Sequence, residues 1–593
     1  MPSPPTDTDE AASPTARLRI LATTDLHMQI LPFDYLVDRP APGYGLAALA
    51  DLIAAERAAP GVDVTLLFDN GDAVQGSPLS ELIADGDIAD PDGLHPMIRA
   101  MNMLGFDAAA AGNHDFAFGL DFLGRLSEQA LFPILSANIR DGSGPVLPPN
   151  HLFERSVPGP GGAPLPLRIG VFGLAPPQTP EWERDAVGPG ITGADLVQTA
   201  REQASALRRR GADLVIALAH SGTGPQRHCP GMENAARLIS DLPGIDAVVA
   251  GHIHQRIPTS GTATSDAARI VMPGAHGSHL GIVDLTLTHA ADGWQVRERR
   301  ATLRSAGSED TDAGQRVRRD TTPLHTAARA ALSRQVGATA QPIHSYFGQV
   351  APCPALSVLA RAMVAHARGY DDATPIVAAV SPFRAGGQGG PQNYIDIPEG
   401  RLLRRHVPTL FPFPDSLCLI DLRGRDLLGW LEHSARAFAR LKPGQADQSL
   451  LDRSVPAYQV DFLYGLTYTI DPTRMEGRIG DVRLRGGGPL DPDAPVRLVT
   501  TAFRAGGGGG YIRPGTEAIH DKTPIRQIVA EYLGSDAFDP SPECIWNFAP
   551  SPGTRAWFDT HPDADQWLDA PHLPRMRDMG LTDRGFRRLS LEL

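Results

Sequence analysis

With 593 residues, 42% apolar and 21% charged, the chain is a globular protein too long for one ordinary core, and two or three domains are expected. Its formal charge of −14 argues against general binding to duplex nucleic acid, which needs clustered cations. No run approaches the roughly 18 apolar residues of a membrane span.

The opening "MPSPPTDTDEAASPTARLRI" reads as a flexible lead-in over residues 1–16. It lacks a basic start followed by an apolar stretch, so a cytoplasmic location is expected. From Leu18 onward, "LRILATTD", "DVTLLFDNGD", "FDAAAAGNHD", "FPILSANI", "LRIGVFGLA", "ADLVIALAHSG" and "IDAVVAGHIH" read as buried strands, apolar without alternation and ending in glycine or polar residues. Helical stretches lie between them: "GLAALADLIAAERAA", "HPMIRAMNML" and "ADLVQTAREQASALRRRG". That order predicts an α/β layered domain over residues 17–318. Such domains place ligands outside the carboxyl edge of the sheet.

A polar stretch at 305–318 and the helical "PLHTAARAALSRQV" read as a connector over 319–340. A second domain over 341–550 opens near "HSYFGQVAPCPALSVLARAMVAHA" and carries two glycine-rich loops, "FRAGGQGGP" and "FRAGGGGGY". Neither continues into Gly-Lys-Ser/Thr, so neither is a Walker loop. Close backbone approach to a ligand at 386–390 and 506–510 and plain flexible turns both fit them. The extension 551–593 is expected to pack on one of the domains. Cys229, Cys353, Cys418 and Cys544 stand far apart without C-x-x-C spacing and are expected to be reduced, mostly buried thiols.

Five strand ends of the first domain gather donors suited to metal. Asp25 and His27 sit in "TTDLH", Asp72 in "DNGDAVQGSP", Asn113 in "AGNHD", His220 in "ALAHSG", and His252 with His254 in "AGHIH". Carboxylate, amide and imidazole donors without a thiol suit Zn, Mn or Fe. In D-L-H and H-I-H one apolar residue separates the two polar ones, so in extended chain both point to one side while Leu26 or Ile253 enters the core. Gly71, Gly112 and Gly251 each precede a ligand, as backbone that turns sharply or approaches another segment requires. Seven candidate ligands exceed the four of a closed zinc site and suit two divalent ions sharing one carboxylate.

The ordered strings "DLH", "GDAVQGSP", "GNHDF", "AHSG" and "GHIH", then "MPGAHGSHLGIVDL", resemble the metallophosphoesterases of the 5′-nucleotidase type. The second domain matches in order through "SPFRAGGQGGPQNYIDIP", "LFPFPDSLCLIDLRG" and "TTAFRAGGGGGY", most like the bifunctional 2′,3′-cyclic-nucleotide 2′-phosphodiesterase/3′-nucleotidases. The resemblance implies an α/β/β/α sandwich followed by a smaller α/β domain. It places Asp25, His27 and His254 on one ion, Asn113, His220 and His252 on the other, and Asp72 between them. It makes His114 the catalytic residue over the leaving or a phosphoryl oxygen, and leaves Asp115 to cap or orient the turn. It further implies a small nucleotide substrate whose base lies between Phe413 and Phe503, with Arg384 and Asp415 as polar contacts, and closure at the connector. The alternatives it leaves are a 5′-nucleotidase or nucleotide-sugar hydrolase, a thiosulfohydrolase, and a non-catalytic nucleotide-binding protein. One departure stands out: the 5′-nucleotidase branch commonly has a carboxylate three residues after the catalytic histidine, and this chain has Ala117.

Overall fold

The computed structural model describes residues 13–88, 92–159, 163–259, 262–290, 293–307, 312–370, 374–513 and 515–593, with the backbone alone at Gln388. The lead-in therefore lies outside the described residues up to position 12, and Thr15 and Ala16 already stand in the first strand. All seven apolar runs contain strands. They lie at Thr15–Thr23, Val64–Asp69, Ala108–Ala110, Ile134–Leu135, Pro164–Leu174, Leu214–Ala219 and Ala247–Ala250.

These strands divide between two sheets. The first runs Thr262–Thr264, Gly293–Ser305, His279–Ala290, Thr15–Thr23, Val64–Asp69, Ala108–Ala110, Ile134–Leu135, and its last four strands are parallel. The second runs Arg256–Ile257, Ile270–Pro273, Ala247–Ala250, Leu214–Ala219, Pro164–Leu174, Asn150–Pro158, with a parallel centre. Ile20, Leu66 and Phe68 of the first sheet share one buried cluster with Val171, Ile216 and Val249 of the second, so the sheets bury each other. The opposite face of the second sheet, at Phe172, Val215 and Val248, is covered by Leu196, Ala200 and Leu207 of the helix Leu196–Arg209. That helix starts where the Asp195 carboxylate accepts from the Gln198 N–H at 2.9 Å, and it ends on Arg208 and Arg209. The helix Leu46–Arg57 lies against the first sheet at His279–Ala290. The result is the four-layered α/β/β/α arrangement. Strands buried on both faces cannot alternate in polarity, which is why they read as continuous apolar runs.

The chain separates into two compact units, residues 1–331 and 332–593. The helix expected near the connector runs Asp312–Leu332, and the strand Gln335–Thr339 follows it. The second unit is built on an eight-stranded mixed sheet with Ile376–Val380, Pro495–Thr501 and Ser416–Arg423 at its centre and the helix Pro354–Ala367 against it. The extension after Ser551 belongs to this unit. Its strands Arg555–Thr560, Arg587–Glu592 and Met576–Leu581 form a second sheet with Gln448–Ser449, and Phe558 and Leu589 join the same core as Leu359 and Trp430. The cysteines are all free; Cys353 and Cys418 are buried, but Cys229 and Cys544 are exposed, so the expectation of mostly buried thiols holds for only two of them. Among the described residues no helix is long and apolar enough to cross a membrane.

Candidate metal centre

The polar strand ends of the first unit converge beyond the carboxyl edges of the two sheets. They do not do so as extended chain. Asp25 and His27 have φ of 51° and 47°, Asp72 56°, and His252 and His254 72° and 54°. The D-L-H and H-I-H pairs reach one side because both polar residues of each turn left-handed, not because a strand alternates. Leu26 is still fully buried between its two partners, whereas Ile253 is only partly so. Five left-handed residues with side chains cost on the order of 1 kcal/mol each. Strain concentrated on the candidate ligands marks a site whose geometry matters more than its local stability.

Six of the seven fall into two groups, Asp25 with His27 and His254, and Asp72 with His220 and His252. In the first, the Nε2 atoms of His27 and His254 are 3.0 Å apart, and Asp25 Oδ1 lies 3.3 Å from His254 Nε2 and 3.9 Å from His27 Nε2. In the second, His220 Nε2 is 3.0 Å from Asp72 Oδ2. The groups adjoin, because Asp25 Oδ1 is also 3.8 Å from His220 Nε2. The seventh residue, Asn113, presents a buried Oδ1 that has no hydrogen-bond partner among the described residues. Ligands about 2.1 Å from a cation are separated from each other by about 3.0 to 3.4 Å, so the 3.0 and 3.3 Å spacings and the orphaned Asn113 oxygen fit divalent ions.

The surrounding groups fix which ring nitrogen faces inward. His27 Nδ1 donates to the Gln75 carbonyl and His220 Nδ1 to the Asn70 carbonyl, each at 2.7 Å, which leaves Nε2 as the nitrogen that faces the site. His252 is turned the other way: its Nε2 is 2.6 Å from Glu233 Oε1, leaving Nδ1 for the cluster. Burial alone would raise the Asp25 and Asp72 carboxyls. The facing imidazoles, His220 first among them, hold both below the usual range instead. Burial also opposes charge on His220, but Asp72 and Asp25 outweigh it and push the ring up to about 10, while burial and then His254 push His27 down to about 3.

Asp115 answers a question the sequence left open. Its carboxylate accepts four backbone N–H groups, from Asp72 and Gly112 at 2.8 Å, Ala73 at 2.9 Å and Val74 at 3.2 Å. It thereby binds the Asp72 loop to the Asn113 loop, and burial lifts it to about 6. Gly112 is required there because a Cβ would fall on Asp72.

His114 donates its backbone N–H to Asp72 Oδ1 at 2.8 Å, and its ring meets the edge of His27 at 5.4 Å. Its Nδ1 is buried without a partner, so among the described residues no carboxylate takes the place that Ala117 leaves empty. Burial lowers its pKa. Three further residues adjoin the site that sequence reasoning did not single out. His276 lies 5.2 Å from His27 and 5.8 Å from His254, ring to ring, and donates its backbone N–H to the Asp25 carbonyl at 2.7 Å. Trp182 stacks on His252, and Glu233 bonds it. His276 sat inside a quoted string, but nothing in the spacing of "PEWER" or "GMENAA" marks the other two.

The four residues expected to hold a nucleotide lie in the second unit. Phe413 and Phe503 are 40% and 42% exposed, unusual for rings of this size in a core-forming segment. Phe413 is braced edge-on by Phe383 at 5.3 Å, and Phe503 lies over Gly508, where a Cβ would meet its ring at 2.5 Å. Asp415 is engaged inward: it accepts the backbone N–H of Phe503 at 3.2 Å and of Ser416 at 2.8 Å, and burial raises it to about 6. Arg384 is partly buried and its carbonyl accepts from Ser345 Oγ. Close approach at the glycine-rich loops is made to the chain's own side chains: Gly386 under Tyr394, Gly389 under Asn393 and Gly508 under Phe503.

Comparison with known proteins places this geometry. The calcineurin-like phosphoesterase family matches residues 18–256, and the 5′-nucleotidase C-terminal domain matches residues 335–514. The chain is 31% identical to the 2′,3′-cyclic-nucleotide 2′-phosphodiesterase/3′-nucleotidase of Salmonella typhimurium, over 98% of its own length and 97% of the relative's. It belongs to the 5′-nucleotidase-type metallophosphoesterases. The trifunctional nucleotide phosphoesterase protein YfkN of Bacillus subtilis is also 31% identical, over 98% of this chain, which spans 42% of that longer protein. A solved Staphylococcus aureus structure covers 90% of this metallophosphoesterase and is itself covered completely, with a TM-score of 0.72 at 21% identity, and so shares its fold. The chain is therefore a hydrolase of a metal-dependent family, and the two Asp/His groups are its candidate metal sites.

Proposed function

We propose that this metallophosphoesterase hydrolyses 2′,3′-cyclic nucleotides to 3′-nucleotides and 3′-nucleotides to nucleosides and phosphate, using two divalent ions of the Zn or Mn kind. The observation that carries the reading is the adjoining pair of Asp/His groups, with Asn113 Oδ1 left beside them as a buried acceptor without a partner among the described residues. The near full-length similarity to a 2′,3′-cyclic-nucleotide 2′-phosphodiesterase/3′-nucleotidase supports the substrate class.

Asp25, His27 and His254 would hold one ion, and Asn113, His220 and His252 the other, with Asp72 between them. Bound there, such ions neutralise phosphoryl charge and acidify water so that hydroxide is available near neutral pH. The chain's own groups do the rest. His27 and His220 keep their lone pairs inward through the Gln75 and Asn70 carbonyls. Asp115 holds the loop of Asp72 in register with that of Asn113. His114 presents its ring N–H to the phosphoryl or leaving oxygen, and the burial that lowers its pKa favours hydrogen-bond donation by the neutral imidazole. The exposed faces of Phe413 and Phe503 take the base, and stacking of this kind contributes about 1 to 3 kcal/mol per base and accepts any base. Arg384 and Asp415 are the polar contacts proposed for the nucleotide, and Asp415 also sets the backbone of Phe503 through the N–H it accepts.

Release of phosphate from 3′-AMP, 5′-AMP and 2′,3′-cyclic AMP by metal-reconstituted protein tests the assignment. Turnover of the cyclic and 3′ substrates is expected to exceed that of 5′-AMP by at least tenfold. Faster release from 5′-AMP would move the chain to the 5′-nucleotidases.

A further inference from the structure

We infer that Glu233 is a positioning residue for the second ion, acting through His252, and that this carboxylate, not a backbone carbonyl, sets the ring nitrogen His252 offers. This rests on the two-ion reading above. His27 and His220 are each tied by Nδ1 to a carbonyl. His252 alone of these three rings has its outward nitrogen on a carboxylate that belongs to neither Asp/His group, with Nε2 2.6 Å from Glu233 Oε1. The Nε2–H donated to that carboxylate commits the neutral ring to an Nδ1 lone pair and makes it a stronger donor. Trp182 lies nearly parallel to the same ring, 5.9 Å between centroids and 13° between planes, and borders it on that side.

The segment carrying Glu233 is itself held to the loop of His220. Ser221 Oγ donates to the Glu233 carbonyl at 2.9 Å and accepts from the Ala235 N–H at 2.8 Å, and the Gly222 N–H donates to Asn234 Oδ1 at 2.9 Å. A single stretch, residues 220–235, therefore fixes one ligand of this group directly and a second through its carboxylate. Glu233 is partly open to solvent, its side chain 39% exposed, so its influence comes from the directed hydrogen bond more than from long-range charge.

The test is titration of chelator-treated full-length protein with Mn²⁺, followed by calorimetry and by the magnetic coupling of the ion pair in electron paramagnetic resonance. Wild type is expected to take up two ions. Glu233→Ala should weaken one binding event 10- to 100-fold, leave the other unchanged, and lose the coupled signal at sub-saturating Mn²⁺. Glu233→Gln, whose amide oxygen still accepts the Nε2–H and whose shape is conserved, should weaken the same event less than tenfold and guards against a folding defect in the alanine variant. In a His254→Ala background the remaining ion should be the one that Glu233→Ala weakens. Two undiminished binding events in both Glu233 variants would overturn the inference while leaving the two-ion reading intact. Wild type that takes up no second ion would overturn both.

Discussion

At the scale of single residues, the candidate ligands that the structure gathers were legible because polar side chains interrupt apolar strands at equivalent ends, a pattern that no packing requirement produces. Their conformation was not legible. D-L-H reads as alternation, yet Asp25 and His27 are left-handed, a backbone choice that neighbouring loops impose. The partners of those ligands were also hidden, because Glu233 and Trp182 lie 19 and 70 positions before His252 with no period to betray them. Asp115 and His114 can be separated by experiment. Asp115→Ala strands four backbone donors, so unfolding of the metal-free protein in urea should show a loss on the order of 3 kcal/mol, together with weaker ion uptake. An unchanged midpoint would mean the Asp72 loop is held by other contacts. His114→Ala should instead keep both ions and lose about 10² to 10³ in kcat, the usual cost of removing one hydrogen-bond donor to a developing negative charge. Activity within tenfold of wild type would remove His114 from the chemistry.

At the scale of elements, seven strands and the helices between them could be read because each has a long apolar signature. The glycine-rich loops misled in a specific way. Glycine reports only that something approaches closely, and at 386, 389 and 508 that something is Tyr394, Asn393 and Phe503 of the chain itself. The loop after Pro495–Thr501 is anchored by a residue the sequence did not mark. Arg504, 3% exposed, forms a two-pronged pair with the equally buried Asp461 at 2.9 and 3.0 Å, and Trp430 Nε1 donates to the same carboxylate. The Arg504 guanidinium also lies 5.6 Å from the centre of the Phe503 ring, which stays partly exposed. Phe413→Ala is therefore expected to raise KM for 3′-AMP by roughly 5- to 100-fold, the equivalent of about 1 to 3 kcal/mol of stacking, and to leave p-nitrophenyl phosphate untouched. Equal losses on the two substrates would show that Phe413 supports the fold rather than the base.

At the scale of the whole molecule, the two-unit organisation was visible as a break in strand periodicity, but which domain the tail joins was not, since two of its strands pair within the tail and only Arg555–Thr560 pairs outside it, more than a hundred residues away at Gln448–Ser449. Each unit has its own core, and each carries a different linkage. The candidate ion sites belong to the first unit, and an ion bound there would stabilise it by about 2.7 kcal/mol at a hundredfold excess over Kd. The second unit carries His344, 2% exposed and packed between Tyr346 and Trp567, where burial and then His572 and His561 push it down to about 4. An unfolded histidine takes a proton near pH 6.5, so between pH 6.5 and 4 the unfolded state binds more protons than the folded one and stability falls as pH falls. The loss is fully present below pH 4 and amounts to about 3 kcal/mol, whereas above pH 6.5 the ring contributes no slope. Calorimetry of the metal-free full chain should show the unfolding of residues 332–593 moving to lower temperature across that window. His344→Phe, which keeps a ring in the stack and removes the proton site, should flatten the dependence while leaving the response of the first unit to Mn²⁺ as it was. A slope that survives the substitution would assign the acid sensitivity to other buried imidazoles of this unit, of which His406, also held near 4, is the next to test.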